Sequence, residues 1–198
     1  NAPIHINAIA RHVGVKKEGD GQICVIGLAN SGKSTILAKL TEAKPRISAT
    51  PYTTTKPEIG MMDYRGIKIQ LIEIPSTFDP EFMSIARGSD AIAVVANNEK
   101  EREIAENVLK NNYIRQPKVT IRPEEAASSL KEKLWSMLGL IVVFTKARDK
   151  RLSPMALRTG ATVKQFAERI HKDFISNFRF ARISRRGRAI QAGLNYKL

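Results

Sequence analysis

Gly27 to Thr35, GLANSGKST, is the stretch whose residue types and spacing say most about chemistry. It fits G-x-x-x-x-G-K-S, a spacing in which glycines let backbone N–H groups turn inward around an anion. Gly27 and Gly32 supply those turns, and a helix beginning just after them adds the positive end of its dipole. Lys33 stands where an amine reaches the β- and γ-phosphates of a nucleotide, and the Ser34 hydroxyl can ligate Mg2+. The polar segment that follows, AKPRISATPYTTTKPEIG, shows neither helical nor strand period and suits a loop closing over γ-phosphate and magnesium. Thr54 is the best candidate there for a second magnesium ligand, with Thr53 and Thr55 as alternatives. An ordinary surface loop has the same composition.

These groups need a scaffold, and the flanking patterns describe one. Gln22–Ile26 reads as a buried strand and Ser34–Thr41 as a helix, which gives the loop its strand–loop–helix setting. GIKIQLIEIP alternates and ends as a second strand, with Glu73 and Pro75 at its exit. That end is expected beside the nucleotide, where Glu73 would hold a magnesium-bound water. Ser89–Ala96 reads as another buried strand. Glu99–Asn112 reads as a charged helix with Ile104, Val108 and Leu109 facing the core.

Composition bounds the remaining possibilities. The chain of 198 residues is long enough for one large domain or two small ones. Its longest apolar runs, AIAVVA and LGLIVVF, are far short of a membrane span. The first residues lack the basic start and apolar core of a signal peptide. The single Cys24 excludes an internal disulfide and lies in a strand pattern, as a small buried hydrophobe would. Together these features imply a cytoplasmic protein without membrane partners. Residues 140–198 carry 14 Lys and Arg against 3 Asp and Glu, whereas residues 1–139 carry 19 against 16. A basic C-terminal module on a near-neutral one implies contact with a polyanion, RNA first among them. A solvated basic face is the alternative. SRRGR places Arg185, Arg186 and Arg188 on a turn as candidate RNA phosphate contacts. His5 and His12 have no Cys or acidic partners at ligand spacing, and His171 reads as a structural or surface residue on a helix.

The run from VKKEGDGQICVIGLANSGKST through GIKIQLIEIP resembles the Obg family of GTPases, in particular its branch of developmentally regulated GTP-binding proteins. The resemblance resumes at RQPKVTIRP and at LKEKLWSMLGLIVVFTK. GATVKQFAERIHKDFISNFRFARI resembles that family's C-terminal TGS module, a small β-grasp fold linked to RNA and ribosome binding. The resemblance implies an α/β fold: a P-loop GTPase domain over 20–139, its mostly parallel sheet covered by helices on both faces. A TGS-like β-grasp domain over 140–198 follows, and residues 1–19 form a linker. It implies GTP and GDP as ligands, with Mg2+, and a switch acting on the ribosome or RNA with a protein cofactor as a further partner.

Residue by residue, Gly27, Asn30, Ser31, Gly32, Lys33, Ser34 and Thr35 take the phosphate-loop positions of the family. Thr54 matches the second Thr of an aromatic-Thr-Thr switch, with Tyr52 as the aromatic. Lys33 and Thr54 are the catalytic candidates. In related GTPases that hydrolyse slowly unaided, an Asn at the Asn30 position helps hold K+ beside the phosphates. A turn Asn bonding its own loop is the alternative. EIPS, Glu73 to Ser76, stands where the family has D-x-P-G. Ser76 for Gly removes a hinge, which favours a second reading, a non-hydrolysing RNA-binding adaptor. After it, TFDPEFMSIARGSD reads as a short loop.

The guanine-reading N-K-x-D motif is missing from the sequence. Asn97 and Asn98 follow the wrong strand, and in VVFTKARD, Lys146 and Asp149 are spaced one residue too far apart. If VVFTKARD were the base loop, the chain would be a single-domain P-loop ATPase. Against the family pattern, the chain passes from TIRP directly to the last helix of the GTPase domain. A stretch is therefore expected to be missing near Pro123 and Glu124. AGLNYKL likewise ends where the β-grasp module is expected to continue. Trp135, with Leu134 and Leu138, reads as the inner face of a terminal helix that seats the next module.

Overall fold

The computed structural model describes residues 15–42, 56–146, 152–171, 173–185 and 187–198. Two compact units meet at Leu138 and Gly139. The first contains β1 (Gly21–Gly27), α1 (Lys33–Leu40), β2 (Glu58–Tyr64), β3 (Ile67–Glu73), α2 (Pro80–Gly88), β4 (Ala91–Val95), α3 (Glu99–Asn111), β5 (Lys118–Ile121) and α4 (Ala127–Met137). Its sheet has the order β2-β3-β1-β4-β5 and is parallel except at the β2 edge. Every residue of β1 is buried, as the apolar run Ile23–Ile26 requires at the centre of a sheet covered on both faces, and the buried Gln22 amide donates to Gln70 Oε1 at 2.7 Å. β2 joins β3 through Arg65 and Gly66, both at positive φ, the backbone of a tight hairpin turn.

Strand alternation sends Cys24 and Ile26 into one layer with Phe82, Met83 and Ala86 of α2 and Ala105 and Leu109 of α3. On α1 of the opposite layer, Ile36, Leu37 and Leu40 are buried. Burying each is worth about 2 kcal/mol, enough to hold an eight-residue helix that would be marginal alone. In α4, Leu130, Leu134 and the C-cap Leu138 are buried.

Three expectations change, and Trp135 gains a partner within its own unit. Ile104 is 39% exposed, and Ala105, one position on, turns inward with Leu109. The segment after EIPS is not a loop: α2 starts at Pro80, with Asp79 as N-cap, and buries Phe82, Met83, Ile85 and Ala86. The polar segment before β2 gives way to strand at Glu58. Trp135 stacks on Tyr64 of β2, ring centroids 4.7 Å apart.

The second unit contains β6 (Leu140–Lys146), β7 (Leu152–Arg158), α5 (Val163–Ile170), α6 (Asp173–Ser176), β8 (Ala181–Arg185) and β9 (Arg188–Ala192). β6 pairs with β7 and β8 with β9, both antiparallel. Thr162 and Gln165 form a reciprocal capping box at the start of α5. His171 is the C-cap of that helix rather than a member of it; its side chain is exposed and pairs with Asp173 at 3.4 Å. β6 lies in a sheet with β7, outside the five-stranded sheet, so VVFTKARD does not supply its base loop. The two units likewise remove the single-domain reading. Among the described residues no helix is long and apolar enough to cross a membrane.

Burial pushes the Cys24 thiol up to about 12, against a hydrogen bond from Ser89 that works the other way. In the unfolded chain this thiol ionises near 9. The folded state therefore holds the proton longer, and stability falls as pH rises from about 9 to about 12. The expected loss is about 1.4 kcal/mol per pH unit in that window. Urea midpoints of wild type and Cys24→Ala, compared at pH 8 and pH 10, check it: parallel curves for the two proteins would refute it.

Candidate functional site

The end of β1 turns into α1 through residues 28–32, with Asn30 at φ +61° and Gly32 at φ +94°. Asn is one of the few side chains that tolerates this left-handed conformation, so the turn by itself explains the Asn30 residue type. Ser31 N–H donates to the Leu28 carbonyl at 3.3 Å, closing the turn. Gly32 caps α1 and faces Pro123 closely enough that a Cβ there would collide with the proline ring. Asn30 and Thr35 are exposed, whereas Ser31 and Lys33 are buried.

The pairing of β1 with β3, Val25 opposite Glu73, brings the carboxylate to the start of α1. Ser34 Oγ donates to Glu73 Oε1 at 2.9 Å. Glu73 Oε2 is buried and has no hydrogen-bond partner among the described residues. Burial raises the Glu73 pKa above the usual carboxylate range. The Ser34 hydrogen bond and the Lys33 charge oppose that rise, while Glu58, its cross-strand neighbour, adds to it. Lys33, 6% exposed, donates through Nζ to the Leu28 carbonyl at 2.9 Å and to Ser76 Oγ at 2.6 Å. Burial lowers the Lys33 pKa and Glu73 partly restores it.

Lys33, Ser34 and Glu73 therefore converge within hydrogen-bonding reach of one loop, and Gly32 frames it. Thr54 lies outside the described residues, with its alternatives Thr53 and Thr55 and the aromatic Tyr52. So does Arg186. Arg185 and Arg188 are exposed and face each other across the β8–β9 turn, where Gly187 has φ +77°. Three interactions have no counterpart in the expectations from sequence. Ser76 holds Lys33; Lys39 Nζ donates to the carbonyls of Pro123 and Glu125; Asn97 Nδ2 approaches the Ser31 carbonyl at 3.5 Å. Only Ser76 carried a signal, its departure from Gly.

The donor set suits the groups that the motif implies. Ser31 Oγ is a second buried polar atom without a partner among the described residues, and it lies inside the loop against Gly27. A serine hydroxyl beside a carboxylate with one free oxygen is the all-oxygen chemistry that magnesium takes. Among the described residues no group of three or more His, Cys, Asp or Glu could hold a metal.

A strand–loop–helix phosphate cradle at the centre of a mostly parallel sheet defines a P-loop nucleotide-binding protein. A family profile described as 50S ribosome-binding GTPase matches residues 22–146, and one described as TGS domain matches residues 141–198. The chain belongs to this GTPase family and carries a TGS domain, and its relatives include proteins named as developmentally regulated GTP-binding proteins and as Obg. A GTP-binding protein of Methanocaldococcus jannaschii, itself uncharacterized, is 24% identical over 301 residues, covering 93% of this chain and 77% of its own. A developmentally-regulated GTP-binding protein 2 homolog of Dictyostelium discoideum is 39% identical over 80 residues, 40% of this chain and 22% of that one. The chain thus spans about a fifth of the latter protein. The solved G domain of the FeoB iron transporter of T. maritima matches with a TM-score of 0.42 and 21% identity, over 59% of this chain and 98% of that one. The 301 residues of the Methanocaldococcus match exceed the 198 of this chain, so the relative holds at least 103 that have no counterpart here.

Proposed function

We propose that the chain is a magnesium-dependent switch that hydrolyses GTP to GDP and phosphate, slowly and with stimulation by K+, in the cytoplasm. The convergence of Lys33, Ser34 and Glu73 on the phosphate loop carries this reading. The GTPase domain spans 20–139 and a TGS-like domain 140–198, with the missing counterpart residues falling near Pro123 and Glu124. Loop N–H groups from Asn30 to Thr35 and the Lys33 amine bind and orient phosphate oxygens. The Ser34 hydroxyl, turned from Glu73, would hold magnesium together with Thr54, and Glu73 would orient a metal-bound water. Magnesium supplies neutralisation of phosphate charge. Ser31, inside the loop, is ready to satisfy its hydroxyl on a phosphate oxygen.

Single-turnover hydrolysis of GTP, measured in K+ and in Na+ with and without ribosomes, tests the reading. K+ is expected to accelerate wild type about 100-fold, on the scale of one group stabilising charge in the transition state. Asn30→Gly keeps the left-handed backbone while deleting the carboxamide, so it should abolish the acceleration and leave nucleotide affinity intact. An unchanged response to K+ would return Asn30 to its turn. Tight binding with no hydrolysis under any of these conditions would favour the adaptor reading, for which the Ser76–Lys33 hydrogen bond speaks.

The exposed Arg185 and Arg188 support ribosome or RNA contact through the basic second unit. Replacing both with Glu should weaken RNA binding and flatten its salt dependence by about 2 in log–log slope, one for each phosphate no longer neutralised. An unaltered slope assigns these arginines to a solvated face. A protein cofactor is the further expected partner.

A further inference from the structure

Lys33 has three N–H donors, and two are already taken by uncharged acceptors, the Leu28 carbonyl and the Ser76 hydroxyl. Ser76 in turn donates to the Gly27 carbonyl at 3.2 Å, which ties the exit of β3 to the floor of the phosphate loop. Among the described residues, one Lys33 donor remains for a ligand. A diphosphate can use that donor without disturbing the others. A terminal phosphate needs a second, and an anionic oxygen outcompetes a neutral hydroxyl for a buried ammonium.

We propose that Ser76 is the positioning residue that holds Lys33 until a terminal phosphate replaces it, and so sets the preference of the site between nucleoside tri- and diphosphate. This rests on the nucleotide-binding reading above. The two states then differ at one identifiable hydrogen bond. Ile74 is anchored by its N–H on the Val25 carbonyl, so release of Ser76 is felt beyond it, in residues 76–79. There the Phe78 N–H bonds the Pro75 carbonyl, and Thr77 bonds Asp79, the N-cap of α2. Arrival of a terminal phosphate is thereby communicated to the start of α2. A glycine at position 76 could not act in this way, because it has no hydroxyl to surrender.

A thermodynamic cycle predicts the sign of the effect. Ser76→Ala removes the hydrogen bond from the empty and diphosphate states alike, so GDP affinity should change less than about 2-fold. The triphosphate state has already surrendered that bond, so it should gain about 10-fold in affinity, the scale of one hydrogen bond to a charged group. The measurement is the affinity of the full chain for GDP and for a non-hydrolysable GTP analogue, with Mg2+ present. Ser76→Thr, which keeps the hydroxyl, should retain the wild-type ratio, and Ser76→Gly should repeat the alanine result if the alanine variant fails to fold. An unchanged ratio in the folded hydroxyl-less variant overturns the proposal. So does weaker triphosphate binding, which would mean that the hydroxyl serves the phosphate directly. Wild type that binds neither nucleotide overturns the function proposed above and this inference with it. Wild type that binds both, with an unmoved ratio in the variant, overturns this inference alone.

Discussion

Lys33→Ala should lower affinity for a triphosphate analogue at least about 1,000-fold, or about 4 kcal/mol, the worth of two charge-assisted hydrogen bonds in a buried site. The fold should not suffer. Burial depresses the pKa of this amine, so the folded state holds its charged form at a cost at neutral pH relative to the neutral amine. The sign follows from proton counts. Between the lowered folded value and the ordinary lysine value the unfolded chain binds more protons, so wild-type stability rises with pH there. The alanine variant should lack that rise and should melt no earlier than wild type at pH 7. Opposite signs for binding and stability mark a residue kept for its ligand rather than its packing. Calorimetric titration and thermal melts check both halves. Retained affinity would remove Lys33 from the site, and a lower melting temperature would mean that its two hydrogen bonds outweigh its burial.

Gly27→Ala should cost about 3 kcal/mol of stability, at the upper end for overpacking, and nucleotide binding with it. A Cβ at position 27 would lie 2.5 Å from the Val95 carbonyl oxygen and 2.5 Å from Ser31 Oγ. The first of these is backbone, at the register point where β1 pairs with β4, and the sheet cannot yield there without separating its strands. The second would displace the serine that faces the loop interior. Gly88→Ala, at the end of α2 with nothing within 4 Å of the added carbon, is the matching control. It should be neutral or slightly stabilising, because alanine favours a helix over glycine. Urea midpoints distinguish the two; equal midpoints would mean that β1 and β4 do not approach so closely at Gly27.

The strands were legible because their signals are local. The buried run of β1 and the alternation of β3 can each be read within a window of a few residues. α2 was missed although Asp79, Pro80 and the spacing of Phe82, Met83, Ile85 and Ala86 were in view. As a short loop the segment shows no period, because the helix is only nine residues long. In α3 the error was one of size. Ile104 is more apolar than Ala105, but the small residue faces the sheet and the larger one reaches solvent. Trp135 has a partner that hydrophobicity does not name: the Tyr64 ring is 71 positions earlier in the chain.

The sequence by itself determined the phosphate chemistry. G-x-x-x-x-G-K-S acts through its own backbone and through a helix that starts within it, so nothing remote is needed to recognise it. It also determined the polarity of the chain, a near-neutral first part and a basic second. Tertiary structure alone decided how the loop is held. Ser34 meets Glu73 across 39 positions, Lys33 meets Ser76 across 43, and Gly32 meets Pro123 across 91. The first two pairs exist because β3 flanks β1 in parallel, which delivers the exit of β3 to the phosphate loop, and the third because β5, parallel to β4, delivers Pro123 from the other side. Parallel neighbours are joined by long crossovers, so their register is fixed by packing of the whole layer and by no local pattern. In EIPS the sequence showed a serine in place of a glycine; the fold turned it into a hydroxyl bonded to Lys33 of the loop.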